Sequence, residues 1–269
     1  MATASLFLAS DGDGYELQMG RWSRQLAPKF IAFSGVSDGA SVLDVGCGTG
    51  NLVAELARSA SPRELHAIDF SQAYIDYASS RNADSRIQFQ VGDACALPFP
   101  DGKFDAALAM LVLQFVPQAE KAIGEMRRVT RPGGTIAAAT WDSRGGFVWW
   151  RMFWDTAAAM DPAAVERRAK AAARPMARPG DLARAFGAAG LTDVVQDTLS
   201  MRMEFASFDD FWAPFEGSDG PYAEYVRTLS SDAKVALRDK VRLAYIDGEL
   251  DGPRSYMATA WAARGKVPD

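Results

Sequence analysis

The sequence holds one histidine, His66, and two cysteines, Cys47 and Cys95, in 269 residues. Two cysteines cannot form a disulfide framework, so a reducing compartment is expected. No apolar run approaches the ~18–20 residues that cross a bilayer. The start of the chain contains the apolar run Leu6-Phe7-Leu8-Ala9. No basic residue precedes that run, and it is too short for a secretory signal core. A cytoplasmic protein is expected. Basic residues are also in deficit: the formal net charge is −5. That argues against the clustered Lys and Arg of a general nucleic-acid binder, while leaving a local basic patch open. Asp11-Gly12-Asp13-Gly14 hints at a calcium loop, but Tyr15 and Trp22 stand where further oxygen ligands belong. No metal site is expected.

What is present reads as a folded α/β protein, one large domain or a core with a cap. Leu17, Trp22, Leu26 and Phe30 recur at helical spacing and predict a helix from about Tyr15 to Phe33. Strands and helices then alternate. Strands are predicted at 41–45, 64–69, 86–91, 104–110 and 135–141. Helices are predicted at 51–60, from a cap at Ser71 to about Arg81, and from Pro117 to Arg128. Apolar strands alternating with helices imply a parallel sheet covered on both faces and doubly wound. Beyond Trp141 the pattern predicts helices at 146–173, 179–189, 208–215 and 231–246, with two closing strands at 192–205 and 255–265.

Ligands on such sheets bind at the carboxyl ends of the strands, where the strand order reverses. Three segments fall there. The first is Val42-Leu-Asp-Val-Gly-Cys-Gly-Thr-Gly50, a strand entering three glycines before a helix. Glycines let a ligand approach the backbone, and the helix start offers unpaired N–H groups. Asp44, two residues before Gly46, suits a cationic ligand and repels a pyrophosphate. Asn51 stands where the dinucleotide pattern wants Gly or Ala. A cationic adenosyl cofactor is favoured over a nicotinamide one, and a ligand-free tight turn is the plain alternative. The second segment is Ile68-Asp69-Phe70-Ser71, whose Asp69 is placed to accept from both ribose hydroxyls; Phe70 is a candidate to pack on adenine or in the core. The third is Val91-Gly92-Asp93-Ala94-Cys95, whose Asp93 is a candidate acceptor from an adenine amino group or a turn former.

Together these segments resemble the class I S-adenosylmethionine-dependent methyltransferases, nearest the ubiquinone and menaquinone C-methyltransferases and related small-molecule methyltransferases. Phe104-Asp105-Ala106, Ala109 to Gln114, Glu125 to Gly134 and Met19-Gly-Arg-Trp-Ser-Arg24 extend the resemblance over about residues 15–142. It implies a seven-stranded, mostly parallel sheet with an antiparallel strand near the C-terminus, plus a helical lid. The expected layout is an N-terminal helical cap (1–38), a cofactor-binding core (39–142), lid insertions (143–178 and 207–250), and a final helix and strands (179–206 and 251–269). S-adenosylmethionine is the implied cofactor and S-adenosylhomocysteine the product. Gly46 and Gly48 would line its methionine end, Asp69 its ribose, and Asp93 with Ala94 its adenine. Met110 and Leu111 would border the sulfonium, with Trp22 and Arg24 closing over the methionine part. Many relatives have histidine where this chain has Gln114, which removes one candidate general base.

Methyl transfer to a small-molecule acceptor is an in-line displacement driven by the cofactor's own activation, with the protein aligning the groups and excluding water. His66 sits inside the second strand and reads as a surface or sheet-edge residue, so a histidine base is not expected. Tyr15, Gln114 and Asp142 are weak candidates for positioning the acceptor. Two aromatic clusters occupy the lid: Trp149, Trp150, Phe153 and Trp154, and Phe205, Phe208, Phe211, Trp212 and Phe215. They read first as lid packing and, more sharply, as the wall of an apolar or aromatic pocket. Arg167, Lys170, Arg174 and Arg178, spaced by 3, 4 and 4, share one face if the helix persists past Pro175; they read first as a solvated face, with an anionic-substrate or partner site as the alternative. Alternatives of a different class are a cofactor-binding sensor or scaffold without transfer activity, and a nicotinamide oxidoreductase.

Overall fold

The computed structural model describes residues 12–217 and 220–269; the apolar run at 6–9 and Asp11 lie outside them. The described chain opens on a short helix, α1 (Gly12–Tyr15). It passes through a π-helical turn (Glu16–Gly20) into α2 (Arg21–Ser34). Gly35, at φ 69°, stops α2 in the left-handed conformation that favours glycine. The alternating core follows as β1 (Ser41–Val45), α3 (Asn51–Ser59), β2 (Glu64–Asp69), α4 (Gln72–Arg81), β3 (Ile87–Val91), β4 (Phe104–Met110), α5 (Ala119–Val129) and β5 (Thr130–Trp141). After it come α6 (Val148–Met160), α7 (Pro162–Ala172), α8 (Asp181–Ala188), β6 (Thr192–Phe205), α9 (Phe208–Gly217), α10 (Pro221–Thr228), α11 (Ser231–Ile246) and β7 (Arg254–Lys266).

All seven strands form one sheet in the order β3-β2-β1-β4-β5-β7-β6. The first five run parallel, and β7 is antiparallel to both β5 and β6. This is the sheet expected from the sequence. From β1 the chain steps outward through β2 and β3, then returns to place β4 on the other side of β1. That reversal opens the crevice between the β1 and β4 tips. Alternation along β1 sends Val42 to one face of the sheet and Leu43 and Val45 to the other. Trp22, Leu26 and Phe30 of α2, Leu52 and Leu56 of α3, and the aromatic helices after Trp141 cover the first face. Ile123 and Met126 of α5 and Phe186 of α8 cover the second.

Several sequence expectations are corrected. His66 is neither at the surface nor at an edge. It is 6% exposed on β2, which has a hydrogen-bonded strand on each side. Its ring meets Phe104 and Phe99 edge-on at 5.2 and 5.4 Å, and burial, then the Lys103 charge, hold its pKa below the ordinary value. The helix predicted over 146–173 is two helices. Asp161 leaves the helix and caps the next through Oδ1, which accepts from Ala163 N at 2.9 Å, and Pro162 takes the first turn of α7. α5 begins at Ala119 rather than Pro117, after a 3-10 turn at Leu113–Phe115. α10 was not foreseen, although Tyr222, Ala223, Tyr225 and Val226 make a helical apolar stripe behind Gly220-Pro221.

Among the described residues no helix is long and apolar enough to cross a membrane, and no group of three or more His, Cys, Asp or Glu is placed to hold a metal ion.

Candidate active site

The β1 tip turns through Gly46, Gly48 and Gly50, all at positive φ. The turn is tied to the next strand by its backbone: Gly46 N and Cys47 N both donate to Ile68 O, at 2.7 and 3.0 Å. Two of the glycines do different work. A Cβ on Gly46 would lie 2.2 Å from Val112, so this position is closed by packing. A Cβ on Gly48 would meet nothing nearer than Tyr15 Cζ at 3.9 Å, because Gly48 borders open space.

That space is a cavity of about 580 Å³ at the carboxyl ends of the strands. Its strand-tip wall is made by Gly46 and Gly48 after β1, Asp69 and Phe70 after β2, Asp93 and Ala94 after β3, and Met110 and Leu111 after β4. Asp69 is fixed by backbone donors. Oδ2 accepts from Gly48 N and Oδ1 from Ser71 N, each at 2.9 Å. Burial nevertheless raises its pKa against the bonds from Ser71, Gly48 and Phe70. Phe70 is half exposed at the cavity. Asp93 Oδ1 accepts from Cys95 N at 2.8 Å, so it forms the turn and borders the cavity at once. Leu111 holds φ 63°, a left-handed conformation costly for a branched side chain, and its N–H is anchored to Ala139 O at 2.8 Å.

Asp44 lies inside β1, 1% exposed, behind the glycine loop and not among the residues that line the cavity. The Val53 backbone N–H helps its carboxylate, but its Oδ2 has no hydrogen-bond partner among the described residues. Burial first, and the neighbouring Asp69 charge second, push its pKa up to about 8. A buried acid with an orphaned oxygen two residues before an open glycine loop is a fitting partner for a cation.

The N-terminal segment closes one side through Tyr15, a foreseen candidate, and through Gln18 and Met19, which were not foreseen. Tyr15, Gln18 and Met19 line the cavity, and Gln18 Oε1 is buried without a partner. Glu16 pins the segment to the loop. It accepts from Thr49 Oγ1, from Asn51 Nδ2 at 2.9 Å and from Arg24. Burial opposes its charge, but these donors outweigh that and hold its pKa below the ordinary value. Trp22 and Arg24 lie outside the cavity lining. Trp22 is 1% exposed in the core, edge-on to Phe205 at 5.3 Å, and Arg24 is spent on Glu16 and Asn51. A π-turn between Tyr15 and α2 rotates the helix, so residues 15, 18 and 19 face the cavity and 22 faces the sheet.

The three catalytic candidates are positioned as follows. Tyr15 lines the cavity, its hydroxyl is 3.1 Å from Ser23 Oγ, and burial pushes its pKa up to about 12, so it stays protonated at neutral pH. Gln114 Oε1 accepts from Trp141 N at 2.8 Å, bridging the ends of β4 and β5 while bordering the cavity. Asp142 is not among the lining residues. Its Oδ1 accepts from Arg144 N and Gly145 N at 3.1 Å each and closes a turn.

The opposite wall is helical and aromatic: Phe115, Trp141, Phe147, Trp150 and Tyr222, with Arg174. Trp141 and Phe147 stack at 4.9 Å. Trp150 is the member of the first aromatic cluster that reaches the cavity. Trp149, Phe153 and Trp154, and the whole Phe205–Phe215 cluster, pack the lid instead. Phe153 stacks on Phe215 at 4.2 Å, and Trp149 Nε1 donates to Phe211 O at 3.2 Å. The basic stripe is not one solvated face. α7 ends at Ala172, Lys170 pairs with Glu166 at 2.7 Å, and Arg174, beyond the helix end, turns toward the cavity.

Residues 43–138 match the Methyltransf_11 family, described as a methyltransferase domain. The fatty-acid O-methyltransferase of Mycolicibacterium smegmatis is 36% identical over 44% of this chain and 42% of its own length. The demethylmenaquinone methyltransferase of Renibacterium salmoninarum is 38% identical over 45% of this chain and 48% of its own length. The chain thus spans less than half the length of the curated relatives it matches. A solved structure of Haemonchus contortus phosphoethanolamine N-methyltransferase 2, in complex with phosphomonomethylethanolamine and S-adenosylhomocysteine, superposes with a TM-score of 0.59 at 16% identity, covering 96% of this chain and 57% of that one. The sheet and its strand-tip cavity are those of the class I methyltransferase fold. Residues 43–138 thus match a methyltransferase domain, in a chain with the class I methyltransferase fold.

Proposed function

We propose that this protein transfers a methyl group from S-adenosylmethionine to a small-molecule acceptor held against the aromatic wall. One observation carries the reading. A glycine loop with an open backbone at Gly48 stands between two buried carboxylates, Asp44 with an unpartnered oxygen and Asp69 clamped by loop N–H groups. Asp44 and Gly48 would receive the cationic methionine end, Asp69 the ribose hydroxyls, and Phe70, Asp93 and Ala94 the adenine. Met110 and Leu111 would border the sulfonium. When bound, the cofactor supplies a methyl carbon already activated by positive sulfur.

The chain's own residues do the rest. Tyr15, Gln18 and Met19 shut water out from the N-terminal side, and Gln114 holds the β4 and β5 tips together. No cavity-lining group among the described residues is poised as a base near neutral pH. Tyr15 is held protonated, Gln114 is neutral, and both lining carboxylates are engaged by backbone N–H groups. Catalysis by alignment and desolvation follows, worth effective molarities on the order of 10⁵ M. The relatives whose names state an acceptor act on small molecules, a fatty acid and demethylmenaquinone, which supports a small-molecule acceptor here.

The test is to incubate the protein with S-adenosylmethionine labelled in the methyl group and a metabolite extract. A labelled small molecule is expected. Cofactor binding without any labelled product would replace transfer by a sensor or scaffold role.

A further inference from the structure

Arg174 is a cation that faces the cavity without a counter-ion among the described residues. Its guanidinium lies 4.5 Å from the centroid of the Phe115 ring, and no carboxylate or carbonyl among the described residues meets it. Other arginines of the chain are spent on partners: Arg128 on Glu125 and Asp101, Arg86 on Asp84, Arg151 on Asp155. Burial holds the Arg174 pKa down, to about 10, and the one group acting the other way is the Tyr222 hydroxyl. Tyr222 also lines the cavity. It is 2% exposed, and its hydroxyl has no hydrogen-bond partner among the described residues. A partly buried guanidinium and a buried phenol, neither with an acceptor among the described residues, thus border the same space.

Such an arrangement is costly unless something completes it. A guanidinium presents a planar fork of N–H groups that matches a carboxylate or a phosphate, and a phenol adds one more donor. The acidic groups that line the cavity, Asp69 and Asp93, belong to the strand-tip wall and are engaged by backbone N–H groups. Around the two donors the wall is aromatic: Phe115, Phe147 and Trp150. We propose that the methyl acceptor carries an oxyanion head, bound by Arg174 and Tyr222, on an apolar or aromatic body that lies against Phe147 and Trp150. This rests on the methyl-transfer reading and narrows its acceptor to organic acids or phosphate monoesters.

The experiment is calorimetry on the full chain saturated with S-adenosylhomocysteine. The probes are 2-naphthoate against 2-naphthamide, dodecanoate against dodecanamide, and 2-naphthyl phosphate against 2-naphthol. At least one acid is expected to bind about tenfold or more tightly than its neutral counterpart. Arg174→Gln should abolish that preference, Arg174→Lys should keep part of it, and Tyr222→Phe should weaken it. S-adenosylhomocysteine affinity should be unchanged in all three. A preference confined to the phosphate pair, or to the carboxylate pairs, selects between the two heads. Acids that bind no better than their neutral counterparts, or a preference that survives Arg174→Gln, would overturn the proposal. If Arg174→Gln does not fold, the Lys and Phe variants carry the same comparison. Failure of the wild-type chain to bind S-adenosylhomocysteine would instead overturn the methyl-transfer reading.

Discussion

The two walls of the cavity are built by different means. The strand-tip wall is backbone and short acids: Gly46, Gly48, Asp69 and Asp93, fixed by bonds such as Gly48 N to Asp69 Oδ2 at 2.9 Å. The helical wall is large side chains from distant segments, Phe115, Trp150, Arg174 and Tyr222, fixed by packing. One wall is negative, the other aromatic with a lone positive charge. A wall tied into a sheet by its main chain tolerates little change and suits a constant ligand. A wall of helix-borne side chains can be rebuilt by substitution and suits a variable one. On the proposed function, the cofactor would belong to the first and the acceptor to the second.

The largest test of that contrast concerns the lid that supports the helical wall. Trp212 is 2% exposed, stacks with Phe208 and lies tilted against Phe215 without reaching the cavity. Trp212→Ala should cost about 3–5 kcal/mol of stability, read by denaturant unfolding, with no selective effect on cofactor affinity. Trp150→Ala, at the cavity, should instead change which acceptors bind.

Next comes the strand-tip wall itself. Asp69→Asn keeps the size of the side chain but removes the charge that two loop N–H groups and a ribose would share. About a hundredfold loss of S-adenosylhomocysteine affinity is expected by calorimetry, since bonds to charged groups are worth about 1.5–3 kcal/mol. Gly48→Ala and Gly46→Ala sharpen the point. The first puts a methyl into open space but on a left-handed backbone, so it should cost about 1 kcal/mol of folding stability and weaken binding by more. The second drives a methyl into Val112 and should weaken folding first.

A smaller effect is the proton on Asp44. A folded pKa of about 8 against an ordinary value of 3.8 means that the folded state keeps a proton the unfolded chain loses near pH 4. The folded state therefore binds more protons across that window. Its stability is greatest at the acid end and is lost as pH rises toward 8. Asp44→Asn should remove that slope from a series of unfolding curves. Binding of a cationic ligand at pH 7 should release up to about one proton from the wild type and less from Asp44→Asn, read from binding heats in buffers of different ionisation enthalpy.

The smallest is Tyr15→Phe. It removes one hydroxyl contact with Ser23 and should cost about 1 kcal/mol of stability with less than tenfold change in turnover, because the tyrosine is not a base.

The same contrast explains what could be read from the chain beforehand. The strand-tip wall is contiguous in sequence, glycines and acids between Asp44 and Leu111 placed at strand ends, so period and turn chemistry were enough to find Gly46, Gly48, Asp69, Asp93 and Ala94. The parallel part of the sheet followed from the same alternation, and antiparallel β7 from the resemblance to the methyltransferases. The helical wall joins residues 115, 150, 174 and 222, and no local period links them. Arg174 was taken first for one of a solvated row, although Pro175 already put the helix end in doubt, and Tyr222 sits on a helix that was not foreseen. Trp22 and Arg24 were misplaced because a single π-turn rotates α2 relative to Tyr15. His66 was read as exposed because neither burial on β2 nor the Phe99 and Phe104 rings can be inferred from its neighbours in the chain.

The central claim is that the acidic strand-tip wall grips an adenosyl sulfonium, and titration calorimetry of the wild type and Asp69→Asn with S-adenosylmethionine and, separately, NADH tests it most directly. Tight binding of S-adenosylmethionine by the wild type, a large loss in the variant and no binding of NADH are the predicted results. Binding of NADH in its place, or S-adenosylmethionine bound equally well by both proteins, would contradict the account.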